Sequence, residues 1–333
     1  MSKATIKQWK ELYDLVLKID AKKPWEKYWD QDLFSIELKR DEEPLFISIM
    51  GQAGTCIGIA TYKGMEGFSD FYQVCDETYH LSPEFVMSDQ NCLTAYWGSK
   101  EYLDDESLEI IDKLGITFRD ENSWIYFKAF ERKSFPSLPN YAEVNLLIEA
   151  YKGLLFALEH DFTNFDSGDI SYTMKDEDED GNYTTISMPR PIEPDRYCQI
   201  LVEDEVINQL KSKTTCDIEL AVDFDYTMFP VMDEGFERPI NPLAFILYDL
   251  REDTILNFDL IHPDQEDYEV ILDNVIGAMN HFGLPKNVYA KNPYIINWLT
   301  YLCNKLNVPL IKDDLAELDE IFDDLKHARI KGE

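Results

Sequence analysis

No two cysteines lie close enough to form a CxxC, although six are present: Cys56, Cys75, Cys92, Cys198, Cys216 and Cys303. The five histidines form neither HxxxH nor HExxH. Both absences exclude the usual zinc spacings and leave dispersed, reduced, mostly buried thiols. No run of about 18 uncharged apolar residues occurs, so no stretch reads as a membrane-spanning helix. Lys3, Lys7 and Lys10 stand where a secretory signal needs its apolar segment, which makes the cytoplasm the expected compartment. The glycines Gly51, Gly54 and Gly58 fit neither GxxxxGK[ST] nor GxGxxG and read as hairpin glycines instead. Positive charge is scarce. Lysine and arginine number 31 against 65 aspartates and glutamates, a formal net charge of −34 with no basic run. Such a chain repels polyphosphate and anionic lipid, which argues against nucleic acid and membrane surfaces and in favour of a basic protein partner.

What is present is enough to build a core. Apolar residues make up 45% and aromatics 13% of 333 residues, a length that suggests two domains at roughly 100–200 residues each. Ile6, Trp9, Tyr13, Val16 and Leu17 repeat at helical spacing over residues 5–19. Strand-like runs follow at 34–38, 45–50 and 55–62, the last two joined by Gly51-Gln52-Ala53-Gly54. Helices are expected at 68–75, 105–114 and 142–159, and strands at 92–97 and 124–130. This describes an N-terminal α+β domain with antiparallel hairpins over residues 1–165. Residues 166–197 read as an acidic hairpin, with strands at 170–174 and 183–188, followed by a linker stiffened by Pro189, Pro191 and Pro194.

Residues 198–333 form the second expected domain. Strands are predicted at 218–227, 242–250 and 254–261, then a helix at 265–282, a strand at 287–290, a helix at 293–306, a strand at 308–311 and a helix at 315–328. The order β-β-β-α-β-α-β-α resembles the ribonuclease-H-like fold of integrases, transposases and many nucleases over about residues 216–330. The passage Phe282-Gly283-Leu284-Pro285-Lys286-Asn287-Val288-Tyr289 is similar to the helix end, Gly-x-Pro and fourth strand of integrase cores. The whole chain also resembles a group of bacterial conserved proteins of unknown function. That likeness rests on Trp9-x-x-Leu12-Tyr13, Pro24-Trp25, Met50-Gly51, Tyr62-x-Gly64-x-Glu66-Gly67 and Leu310-Ile311-Lys312-x-x-Leu315.

The first resemblance implies carboxylates on the first strand, the first helix, the end of the fourth strand and the last helix, holding two divalent ions at a scissile phosphate. Asp223 and Asp225 alternate with the apolar residues of the first strand and so share one face. Glu269 and Asp273 lie four apart on the first helix, and Asp319 and Asp323 four apart on the last. A nuclease using Mg or Mn would draw on Asp223, Asp225, Glu269 and Asp319. The fourth strand breaks the set: it ends Tyr289-Ala290-Lys291-Asn292, with a lysine where the pattern has an acid. The incomplete set points to recognition without cleavage and to no bound cofactor. A separate motif, Asp176-x-Asp178-x-Asp180-Gly181, matches the first half of a calcium loop, but its twelfth position is Ser187 and its flanks look like strands. Cys56 or Cys75 with His80 is a further pairing that no spacing fixes.

Overall fold

A computed structural model describes residues 2–39, 42–76, 78, 81–160, 168–175 and 182–327. The calcium-loop candidates Asp176, Asp178 and Asp180, and His80, lie outside the described residues. The chain is mixed α+β and divides into two compact units. The first comprises Met1–Gln73, Gln90–Arg132 and Pro136–Pro194; the second comprises Val74–Asp89, Lys133–Phe135 and Asp195–Glu333.

The first unit is built on a seven-stranded sheet. Its strands are β1 (Phe34–Glu37), β2 (Leu45–Met50), β3 (Ile57–Lys63), β4 (Cys92–Gly98), β5 (Trp124–Phe130), β6 (Asp169–Lys175) and β7 (Tyr183–Pro189), in the order β5-β4-β3-β2-β1-β6-β7. All neighbours are antiparallel except β1 and β6, which run parallel with Phe34 opposite Ser171. Residues 166–197, expected as a separate hairpin and linker, therefore contribute two strands to this sheet. One face packs on α1 (Ile6–Lys22), α4 (Asp105–Leu114) and α5 (Tyr141–Glu159). Thr5 with Gln8 and Asn140 with Glu143 form capping boxes that satisfy the first free amides of α1 and α5. Alternation along β2 sends Leu45, Ile47 and Ile49 to that core and Phe46 to the other face, where it meets Phe68 of α2 (Gly64–Cys75) at 4.5 Å between ring centroids.

The second unit carries a five-stranded sheet of β8 (Glu219–Tyr226), β9 (Leu243–Asp249), β10 (Thr254–Ile261), β11 (Asn287–Ala290) and β12 (Leu310–Lys312), ordered β10-β9-β8-β11-β12. The first three strands form an antiparallel meander, and β11 and β12 join β8 in parallel. Parallel neighbours need crossovers, and α7 (Asp267–Phe282) and α8 (Pro293–Leu306) supply them, followed by α9 (Ala316–His327). Leu220, Val222, Phe224 and Tyr226 of β8 enter a core with α6 (Asp204–Lys211), α7, α8 and Phe85 of α3 (Pro83–Ser88). Part of the opposite face is covered as well: Ala221, Ala244, Ile246 and Tyr248 pack on Leu315, Leu318 and Phe322 of the α9 segment. Among the described residues no helix is long and apolar enough to cross a membrane.

Candidate functional site

β8 puts Asp223 and Asp225 on the face beneath α9, opposite the larger core, because alternate residues of a strand point to opposite sides. The face is buried, so both acids leave water: Asp223 is 0% exposed and Asp225 8%. β11 lies parallel to β8 with Tyr289 opposite Ala221. Carried two residues further, that register brings Lys291 beside Asp223. The Lys291 Nζ stands 3.4 Å from Asp223 Oδ2 and is also paired with Asp319 of α9. In the last turn of α9, Lys326 Nζ lies 2.8 Å from Asp225 Oδ2. Asp225 further accepts hydrogen bonds from the Ser82 hydroxyl, at 3.0 Å to Oδ2 and 3.2 Å to Oδ1, and from the Tyr226 amide at 2.7 Å.

The electrostatics of this centre follow from burial. Among the described residues neither oxygen of Asp223 has a hydrogen-bond partner. Burial, opposed by Lys291 and reinforced by the charge of Asp225, pushes the Asp223 carboxyl up to about 7. Burial works against the Lys291 ammonium, but Asp223 and then Asp319 outweigh it and hold the lysine above its ordinary value. The arrangement is a row of carboxylates neutralised by two ammonium groups of the same chain. Among the described residues no three His, Cys, Asp or Glu side chains are grouped so as to hold a metal ion.

Asp223, Asp225 and Asp319 therefore come together, with Lys291 and Lys326 among them. Glu269 and Asp273 do not join: both are exposed on α7, whose buried residues Ile271, Leu272, Val275 and Met279 pack on the other face of the sheet. Asp323 is exposed, and its backbone carbonyl oxygen lies 2.7 Å from His327 Nδ1. Asn292, which could have replaced an acid as an oxygen ligand, caps α8 by accepting from the Tyr294 amide at 3.0 Å. Ser82 and Lys326 were not singled out in the sequence. Ser82-Pro83 carries the N-cap-and-proline signature of a short helix, and Lys326 follows Asp319 by seven residues, two helical turns.

Other candidates are occupied in different ways. The cysteines are free, and burial pushes the thiols of Cys92 and Cys303 up to about 12 and raises that of Cys56, opposite to what a nucleophile needs. An open cleft of about 580 Å³ runs beside α5, yet the charged groups on its wall pair with one another, Lys175 with Glu149 at 2.6 Å and Lys39 with Glu42 at 2.9 Å. In the second unit Asp89 accepts from Arg196 at 3.1 Å and from the Tyr294 hydroxyl at 2.8 Å, a buried polar contact that ties α8 to α3.

Two sequence families match the chain. Residues 9–173 match a domain of unknown function, DUF7309. Residues 206–326 match another, DUF6930, which takes in β8 to β12 and the whole Asp223–Lys291 centre. No curated protein matches the chain. Among solved structures, a chain from the structure titled "CryoEM structure of simian T-cell lymphotropic virus intasome in complex with PP2A regulatory subunit B56 gamma" is similar at 10% identity, with a TM-score of 0.23. The match spans 38% of this chain and 46% of that one.

Proposed function

We propose that the DUF6930 region is a ribonuclease-H-like domain whose cation positions are filled by the chain's own lysines, and that the protein is a non-enzymatic, acidic binding module with a basic protein as partner. A three-stranded antiparallel meander followed by two parallel strands reached through helices supports the fold reading. The observation that carries the functional reading is Lys291, whose ammonium group is paired at once with the first-strand Asp223 and the last-helix Asp319. Phosphodiester cleavage by two metal ions needs carboxylates free to hold divalent cations that activate water and stabilise the leaving oxygen. An ammonium group brings one charge and three donors; it neutralises the acids but does neither task. Lys326 neutralises Asp225 in the same manner, and the Ser82 hydroxyl donates to it. The net charge of −34 opposes a nucleic-acid ligand and attracts a cationic one.

The test is incubation of the full chain with labelled single- and double-stranded DNA and RNA in Mg²⁺ or Mn²⁺. No cleavage above buffer is expected. Cleavage that Asp223→Asn abolishes would overturn the reading in favour of a divalent-metal nuclease using Asp223, Asp225 and Asp319.

A further inference from the structure

The face of the second sheet that α9 covers is covered only in part. Its packed cluster draws on β8, β9, Leu250, Tyr289 of β11 and the α9 segment, and among the described residues no side chain of β10 enters it. Yet β10 presents apolar side chains there. Ile255 pairs with Tyr248, Phe258 with Ile246 and Leu260 with Ala244, and directly paired residues share a face. All three are exposed, at 46%, 42% and 49%. The register break between Ile255 and Asn257 is what lets three apolar residues of one strand fall on this face.

The wall on the other side is acidic. Asp319 and Lys326 of α9 reach Lys291 and Asp225, so that flank of the helix is turned toward β11 and β8. Glu317, Ile321 and Asp324, spaced four and then three apart, form the stripe on the opposite flank. Glu317 accordingly acts on Tyr248 of β9. The Tyr248 hydroxyl is raised first by its hydrogen bond to Asp253, then by burial and by the charges of Asp253 and Glu317. Asp253 closes the end of the groove at the β9–β10 turn. Strand addition at β10 is not the way in, because the amides of Phe258 and Leu260 are bonded by the side chains of Asn257 and Asp259 at 2.9 and 2.8 Å.

We infer that the groove between α9 and β10 docks a cationic amphipathic segment of another protein, its apolar face on Ile255, Phe258 and Leu260 and its lysines or arginines against Glu317, Asp324 and Asp253. The inference rests on the binding-module reading above and assigns it a surface. The chemistry of the occupant follows from the walls: an apolar strip with carboxylates on its rim matches a segment apolar on one side and basic on the other. A second copy brings 65 acids against 31 bases to an already acidic rim and is disfavoured.

The probe is a fluorescent synthetic helical peptide of about 18 residues built from Leu and Lys, with a Leu/Glu peptide as control, followed by anisotropy on the full chain. The Leu/Lys peptide is expected to bind and the Leu/Glu peptide not. Phe258→Ser with Leu260→Ser should weaken binding about tenfold, the worth of burying a large apolar side chain. Glu317→Gln with Asp324→Asn, both exposed, should weaken it severalfold and flatten its dependence on salt. Glu109→Gln with Asp112→Asn, exposed acids on α4, should leave it unchanged. Absence of binding, an equal loss with the α4 pair, or no loss with the two groove pairs would overturn the groove. So would a dimer in sedimentation velocity that Phe258→Ser abolishes. Metal-dependent cleavage of nucleic acid would instead overturn the reading on which the groove rests, so the two failures are distinguishable. Should the serine variant fail to fold by circular dichroism, the Glu317 and Asp324 pair decides alone.

Discussion

Asp223 is the residue on which the buried centre of the second unit turns. It is fully buried, among the described residues both carboxylate oxygens lack hydrogen-bond partners, and it faces Lys291 at 3.4 Å. Its carboxyl is raised from 3.8 to about 7, so the folded state holds the proton more tightly than the unfolded chain does. The stability this contributes is complete at pH values below the unfolded pKa and is lost as pH rises toward 7. Asp223 alone therefore contributes a fall in stability, on the order of a few kcal/mol, across that window, and urea unfolding reads it as the difference between the native chain and Asp223→Asn. Asp223→Asn should remove this part of the slope; parallel pH profiles for the two proteins would contradict it. Lys291→Met leaves Asp223 and Asp319 without their shared cation. It should cost about 3–5 kcal/mol near pH 8 and less near pH 5, where Asp223 takes up a proton. Adding Asp223→Asn to Lys291→Met should recover much of the loss. Additive costs in the double variant would show that the two side chains are not coupled. Lys291 was legible in the sequence because it immediately follows a short strand that is readable from Asn287–Ala290 and a preceding Gly-x-Pro. Ser82 and Lys326 were not, because what makes them partners of Asp225 is tertiary approach across 143 and 101 residues.

At the scale of elements, the local signals were strong where each strand or helix carried its own pattern. The order of β8 to β12 with α7, α8 and α9 was readable for that reason, from the alternation in β8 and the stripes Ile271–Val275–Met279 and Leu318–Phe322. The parallel pairing of β6 with β1 was hidden, since Asp169–Lys175 reads as half of an isolated hairpin until Phe34–Glu37 lies beside it. The helix α6 was missed because its stripe, Ile207 and Leu210, spans only two positions. The burial of the acid-bearing face of β8 was hidden as well. Alternation separates two faces but does not say that α9 covers the second. Gly283 sits at φ +104°, and a Cβ there would lie 2.4 Å from the Thr214 carbonyl oxygen, which accepts the Leu284 amide at 2.9 Å. Gly283→Ala combines backbone strain with a clash against main chain, and it should lower stability by more than about 2 kcal/mol. An unchanged thermal midpoint would show that the segment 212–216 shifts freely.

For the whole molecule the governing quantity is charge. A net −34 on 333 residues loads both folded and unfolded states with like charge, and the folded state, being more compact, carries more of the repulsion. Raising sodium chloride from about 20 mM to about 300 mM should therefore raise the unfolding midpoint, because screening relieves exposed acids while the buried Lys291 pairs are little affected. A falling midpoint would mean that surface ion pairs such as Lys10–Asp14 and Lys113–Glu109 outweigh the repulsion. The same excess of acid makes any divalent cation collect weakly at the surface, so a measurement has to separate the buried centre from the surface. Titration of Mn²⁺ into the full chain and its Asp223→Asn variant, followed by the paramagnetic resonance of free Mn²⁺ at about 150 mM salt, makes that separation. Weak, superimposable binding to both proteins is expected, since Lys291 and Lys326 already neutralise the acids. A tight site of one or two ions in the native chain that disappears in Asp223→Asn would contradict it.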